Sequence, residues 1–231
     1  MRGRAVVIRG LGALALCALC STSLVARASA QSSIVDELAA IVGGETPVSG
    51  TDVVLRSDLE LRARLALLAH DPTRATGALP SALLRATLDE VVGELLIARE
   101  AERLHATMPS DAAVAAQRRE LESAAGGAEA VLSLLRIIGA DESELDAIAM
   151  RRARVDGFLR ANLEGTTVVS DARVEEVYAS GEHPFTDEPL ERAREPLRAW
   201  LAQGALERDV ARWISVLRGR TTVRVLLALD E

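Results

Sequence analysis

Two short apolar runs near the start of this sequence have the pattern of β-strands, and another lies near its end. The first two, at 38–42 and 53–56, are separated by turn-forming residues at 46–52. They predict a loose hairpin. The loop is longer than the tight turns that fix strand register, so the register is not predicted. The last run, 221–229, alternates apolar and polar residues over part of its length and predicts a final strand.

Between these strands, apolar residues recur with helical spacing. The clearest case is the segment 81–105, where leucines and valines form one face and charged residues cover the rest. This face consists of Leu84, Leu88, Val91 and Leu95, widened by Val92, Leu96 and Ile97. The same spacing predicts further helices at about 57–69, 111–125, 131–138, 141–164, 170–178 and 187–218.

Capping residues and helix breakers predict where these helices begin and end. Ser57 and Glu60 match a capping box. In this motif the serine hydroxyl accepts a hydrogen bond from the backbone N–H of Glu60, and the Glu60 side chain accepts one from the backbone N–H of the serine. The segment 70–80 is predicted to be a linker, and Pro196 predicts a kink or a restart within the closing helix. Other predicted caps are Ser110, Asp141 and Ser170.

These elements predict a mainly α fold, a multi-helix module with a small β-sheet. A lone final strand needs a partner, because unpaired backbone groups in a folded domain are costly. The N-terminal hairpin is the partner that the sequence offers. We expect a single domain over 31–231, with a helical core at about 57–180 and a closing helix and strand at about 187–229.

Residues 1–30 have the layout of a secretory signal peptide. Three arginines, within the first nine residues, precede an apolar stretch at 11–20, and Ala28-Ser29-Ala30 supplies a cleavage site. The stretch is too short to span a bilayer comfortably. Cys17 and Cys20 each follow a leucine, where lipoprotein processing requires a small residue. We expect export to the periplasm with cleavage after Ala30; an uncleaved N-terminal anchor is the alternative.

Cleavage would remove both cysteines, so the mature chain could form no disulfide or zinc–thiolate site. Four arginines would leave with the signal, and the formal charge would change from -7 to -11. An acidic surface argues against a nucleic-acid partner, since such binding depends on neutralising phosphates. No later stretch is apolar enough to predict stable membrane insertion. Aromatic residues make up only 2% of the chain, so the core should be aliphatic.

No catalytic, cofactor-binding or metal-binding residues are predicted. His70, His105 and His183 lie in separate segments and are interpreted as surface residues. The sequence contains no phosphate-binding loop, nucleophile elbow or zincin motif. Trp200 and Trp213 are interpreted as core or core-edge residues. Substrate-binding residues stay unassigned.

The order and spacing of these segments resemble the chaperone module of SurA-type periplasmic proteins. The resemblance covers nearly all of the chain after residue 30. Full-length relatives carry parvulin-type prolyl isomerase domains between the last short helix and the closing helix; here only 180–186 occupy that place. The matching segments are 35–42, 54–59, 88–101, 110–111, 169–178 and the closing helix leading into 223–226.

The resemblance implies a holdase-type chaperone that shields unfolded or outer-membrane-bound client proteins, without prolyl isomerase activity. The implied mechanism is burial of exposed apolar residues of the client in a groove between helices. A non-enzymatic structural or assembly subunit with one fixed envelope partner is the alternative. A degenerate prolyl isomerase is a third possibility, against which the missing domain argues.

Overall fold

The computed structural model describes residues 36–44, 50–163 and 168–228. These residues confirm the predicted fold class, since they form helices and one small antiparallel sheet. The predicted signal peptide lies outside the described residues. The elements are β1 (Leu38–Val42), β2 (Asp52–Leu55), α1 (Arg56–Leu68), α2 (Pro72–Thr76), α3 (Ser81–Arg103), α4 (Asp111–Ala124), α5 (Ala128–Ile138), α6 (Glu142–Leu163), α7 (Asp171–Ser180), α8 (Leu190–Arg218) and β3 (Val223–Val225).

The sheet has the strand order β2-β1-β3, so the final strand pairs with the hairpin as predicted. Val42 of β1 lies opposite Asp52 of β2 and Val223 of β3. The final strand is shorter than the predicted 221–229. Beyond it, Leu226 and Leu227 both donate their backbone N–H to Ala39 O, at 2.9 and 3.2 Å, and Leu227 is buried in the core. The regular pairing of this strand with β1 therefore ends at Val225.

The predicted caps hold at three helix starts. Ser110 Oγ accepts the backbone N–H of Ala113 at 3.2 Å. Ser170 Oγ accepts that of Arg173 at 3.3 Å. Asp141 accepts the N–H of Ser143 at 2.8 Å, while the side chain of Glu144 accepts the N–H of Asp141 at 3.1 Å. These contacts satisfy amides that have no partner within the helix.

The predicted capping box at α1 is wrong. Ser57 donates both its hydroxyl and its backbone N–H to the carboxylate of Asp36. The Leu55 N–H is accepted by Asp58 Oδ2 at 3.2 Å, and the side chain of Glu60 instead pairs with arginines of its own helix. Asp36 precedes the hairpin, so its approach to α1 depends on strand pairing and not on local sequence.

The linker predicted at 70–80 contains the short helix α2. Asp71 caps it by accepting the N–H of Arg74 at 3.0 Å, and Pro72 occupies the first helical turn. Proline is well tolerated there because that amide needs no intrahelical partner. Pro196 likewise does not interrupt α8, which the structure describes as one helix from Leu190 to Arg218.

Three apolar clusters form the core of the described residues. The first joins the sheet to α3, the second half of α6 and the last turns of α8. The second joins α1, α2, α4 and α5 to the first half of α6. The third lies between α7 and the start of α8. Helix α6 therefore contributes to both of the first two clusters, whereas α3 contributes to the first. No helix among the described residues is long and apolar enough to cross a membrane.

Candidate functional site

A groove runs along α6, where this helix packs against the C-terminal part of α3 and the loop that follows α3. Three adjoining cavities form it, with volumes of 260, 300 and 560 Å³. The first two share Glu102 and Arg154 in their walls, and the last two share Met108 with its neighbours His105 and Ala106. We call this continuous feature the α6 groove.

The floor of its widest part consists of small residues on one face of α6. Ala153, Gly157 and Ala161 recur every four residues and therefore lie in one row. A Cβ built on Gly157 would meet no atom within 4 Å, so this position faces open space. The loop after α3 forms the opposite wall and presents Leu104 and Met108, both exposed. This end of the groove is an open channel with a lining that is more apolar than polar. Its polar lining residues are His105, Thr107, Asp156, Arg160 and Asn162.

Two methionines line the groove, one toward each end. Met108 is 59% exposed in the wide part, and Met150 is 39% exposed in the narrow part. Apart from Met1, these are all the methionines of the sequence. Methionine is flexible and polarisable, and it is common on surfaces that bind varied partners. The sequence shows few methionines, but the structure places both of these on the groove.

The narrow end of the groove is charged. Arg99 pairs with Asp52 at 2.9 Å. Arg154 pairs with Glu102 and also donates an N–H to Met108 Sδ at 2.9 Å, so it connects α6 to both α3 and the loop after it. These contacts hold the groove walls together. They also connect its charged end to its apolar end.

Arg151 lines the same narrow cavity and differs from the other two arginines. It is half-buried, and within the described part of the chain it makes no hydrogen bond or ion pair. Burial lowers the pKa of the Arg151 guanidinium from its ordinary value, and the neighbouring Arg62 acts in the same direction. The nearby carboxylates of Glu94, Asp58 and Asp52 oppose this effect from beyond contact distance.

A separate cavity of 330 Å³ lies among α1, α3, α4 and α6. Both arginines in its lining, Arg62 and Arg152, form ion pairs with Glu94 of α3. Arg62 Nη1 donates to Glu94 Oε1 at 2.8 Å, and Nη2 lies 2.7 Å from Oε2 without hydrogen-bond alignment. Arg152 Nε lies 3.6 Å from Glu94 Oε1. Since these groups are paired within the chain, we assign this cavity a structural role.

The structure does not bring the three histidines together. His70 lines the 330 Å³ cavity, and His105 lines the α6 groove with a left-handed backbone (φ 52°). His183 accepts the N–H of Phe185 at 3.1 Å and stacks on Tyr178, with the ring centroids 5.2 Å apart. Among the described residues, no group of three metal-ligating side chains occurs.

The interpretation of the tryptophans is correct for one of the two. Trp213 packs on the first core cluster, with its ring centroid 5.2 Å from that of Phe158, which lines the groove. Trp200 is 44% exposed on α8, so its assignment to the core or core edge was wrong. It lies next in sequence to Leu201, which together with Leu197 packs in the third cluster against α7.

The groove residues were not predicted from the sequence. A signal was present in the row of small residues at 153, 157 and 161, on a helix whose apolar stripe lies elsewhere. No protein-family model and no curated protein matches this sequence. What the chain binds is therefore inferred from the residues of the α6 groove.

Proposed function

We propose that this chain is a periplasmic holdase-type chaperone, which binds unfolded or extended exported polypeptides in the α6 groove without catalysis. The observation that carries the proposal is an open, mainly apolar channel between α6 and the loop after α3, with Met108 and the small residues around Gly157 in its lining. An unfolded chain exposes apolar side chains, and their burial in such a channel is favourable.

The length of the groove suits an extended segment of client. Its α6 residues run from Ala147 to Asn162. At about 1.5 Å per helical residue this corresponds to about 22 Å. An extended chain advances about 3.3 Å per residue, so the groove accommodates roughly six to seven residues. That is a short stretch, which many unrelated clients can supply.

The composition of the groove favours weak binding of varied sequences. A floor of small residues offers few pockets that would select one side chain over another, and the two methionines can adapt to different shapes. A short segment buries limited area and loses conformational freedom on binding. We expect dissociation constants that are roughly micromolar or weaker.

The short connection between α7 and α8 supports a function without prolyl isomerisation. Only residues 181–189 separate the two helices. This connection is folded back on α7, since Tyr178 donates its hydroxyl to Glu188 O at 2.7 Å. It provides no place for a parvulin domain. A proline-peptide assay with the mature protein should show no rate enhancement; enhancement that is lost on heat denaturation would contradict this.

The experiment is an aggregation assay with the mature protein, residues 31–231, and several unrelated unfolded proteins. We expect delayed aggregation of most of them. Gly157→Leu places a large side chain in the open channel and should reduce this protection. Gly204→Leu on α8 is the matched control, because it lies outside the groove and its Cβ would approach only the tip of Arg208, at 3.4 Å.

Melting temperatures of both variants establish that they fold. Equal loss of protection in both variants would mean that the α6 groove is not the binding site. A protein that protects none of the clients, yet binds one envelope protein tightly, would be a structural or assembly subunit with a fixed partner. Permanent interfaces are larger and more hydrophobic than transient ones.

A further inference from the structure

Arg151 is a cation without a counterion at the narrow end of the α6 groove. It lines the 260 Å³ cavity together with Arg99 and Arg154, and no described carboxylate contacts it. A partly buried guanidinium is costly unless a charged or hydrogen-bonding partner compensates it. By contrast, the neighbouring Arg62 of α1 has Glu94 as a partner at 2.8 Å.

The charge of this cavity selects the chemistry of an occupant. Its lining carries three arginines and two carboxylates, those of Asp52 and Glu102, so one positive charge is left over. A monoanion neutralises it. A phosphate dianion would bring a second negative charge close to Asp52 and Glu102. A carboxylate also matches the planar fork of a guanidinium, which can donate two parallel hydrogen bonds to it.

We propose that the Arg151 end of the groove binds a carboxylate of the client polypeptide, while the neighbouring apolar part holds the residues next to it. This inference rests on the proposed function and narrows its substrate class to apolar segments that end in, or are flanked by, a negative charge. The three cavities adjoin one another through shared wall residues, so one extended segment can contact Arg151 and, past the ion pair of Arg154 with Glu102, reach Met108 and Gly157.

Two sources supply such a carboxylate: the C-terminus of a chain, and the side chain of aspartate or glutamate. Three peptides with one apolar heptapeptide sequence distinguish them. The first has a free C-terminus, the second is amidated, and the third is amidated but carries a glutamate at its last position. Their dissociation constants for the mature protein, measured by calorimetry, give the contribution of the carboxylate.

We expect at least one carboxylate-bearing peptide to bind about tenfold or more tightly than the plain amide, as for a charged hydrogen-bonded pair. Arg151→Gln should remove this difference between the carboxylate-bearing peptides and the plain amide. Arg119→Gln, an exposed arginine on α4, should preserve the difference. Arg151→Met should raise the melting temperature of the free protein, because it removes an uncompensated charge.

The outcomes separate this inference from the proposed function. If all three peptides bind the unmodified protein equally, the carboxylate site is wrong and the holdase proposal stands. A carboxylate preference that persists in Arg151→Gln also overturns the assignment to Arg151. If no peptide binds, while Gly157→Leu leaves the aggregation assay unchanged, both the groove and the carboxylate site are wrong.

Discussion

Gly93 of α3 lies directly against Ile214 of α8: a Cβ built on Gly93 would be 3.1 Å from Ile214 Cδ1. This close approach brings the last part of α8 onto the first core cluster, which also includes Phe158 of α6. Gly157 presents the opposite case, since its Cβ would meet nothing within 4 Å. Two glycines inside helices therefore have different reasons to be there.

Alanine substitutions should separate these two cases. Glycine inside a helix costs about 0.5–1 kcal/mol relative to alanine, so Gly157→Ala should raise the free energy of unfolding by about that amount. Gly93→Ala should raise the free energy of unfolding by less, or should lower it, because the Ile214 side chain must move away from the added methyl group. Urea unfolding of both variants measures the difference. An equal gain in both would show that α8 does not pack closely on α3.

Removing one partner of the ion pair between Arg62 and Glu94 should destabilise the fold more than removing both. It lies between α1 and α3, and both side chains are largely buried. Arg62→Leu leaves the Glu94 carboxylate with only Arg152, at 3.6 Å, and we expect a loss of about 3 kcal/mol in unfolding free energy. The double variant Arg62→Leu with Glu94→Leu should lose much less, because no uncompensated charge remains.

A double-mutant cycle by urea unfolding measures this coupling. The exposed pair Arg173 and Glu176 on α7 is a suitable control, since exposed pairs contribute little. If the changes in unfolding free energy caused by Arg62→Leu and Glu94→Leu add up in the double variant, the two residues do not interact as a buried pair.

The segment that follows β3 should stabilise the whole fold through one leucine. Leu227 is 5% exposed in the first core cluster, whereas its neighbour Leu226 is 43% exposed. We expect Leu227→Ala to cost about 2–3 kcal/mol and Leu226→Ala less than about 1 kcal/mol. Deleting 221–231 should destabilise the domain further, because β1 also loses its backbone partner on that edge. A truncated protein that melts within a degree or two of the parent would show that this pairing contributes nothing.

The sequence predicted the order of the elements well, because helical spacing and caps such as Ser110 and Ser170 are local signals. It also predicted the pairing of β3, because a lone strand has few possible partners. It failed where a distant residue decides the local structure. Asp36 replaces Ser57 in capping α1, and that contact exists only once the hairpin has formed.

The residues of the α6 groove were not predicted from the sequence for a related reason. The row at 153, 157 and 161 forms a channel only because the loop after α3 lies opposite it and leaves it uncovered. Likewise, Arg151 and Arg152 are adjacent in sequence but line different cavities, and of the two only Arg152 forms an ion pair within the described residues, with Glu94 at 3.6 Å. Which arginine lacks a partner depends on how α3 packs, which local periodicity does not determine.

The attachment of α7 to α8 should depend on pH through Asp171. Its carboxylate accepts a hydrogen bond from Arg198, which also donates to Val169 O at 2.8 Å. The hydrogen bond from Arg198 lowers the pKa of Asp171 from its ordinary value. A group whose pKa is lower in the folded state adds stability at neutral pH, and this contribution is lost as the pH falls through the folded-state pKa.

Asp171→Asn should therefore be less stable than the parent at pH 7, and the difference in unfolding free energy should shrink in acid. Urea unfolding at neutral and acidic pH measures this difference, with Glu182→Gln, an exposed residue of the α7–α8 connection, as the control. A difference that is the same at both pH values would mean that the charge of Asp171 does not hold α7 to α8.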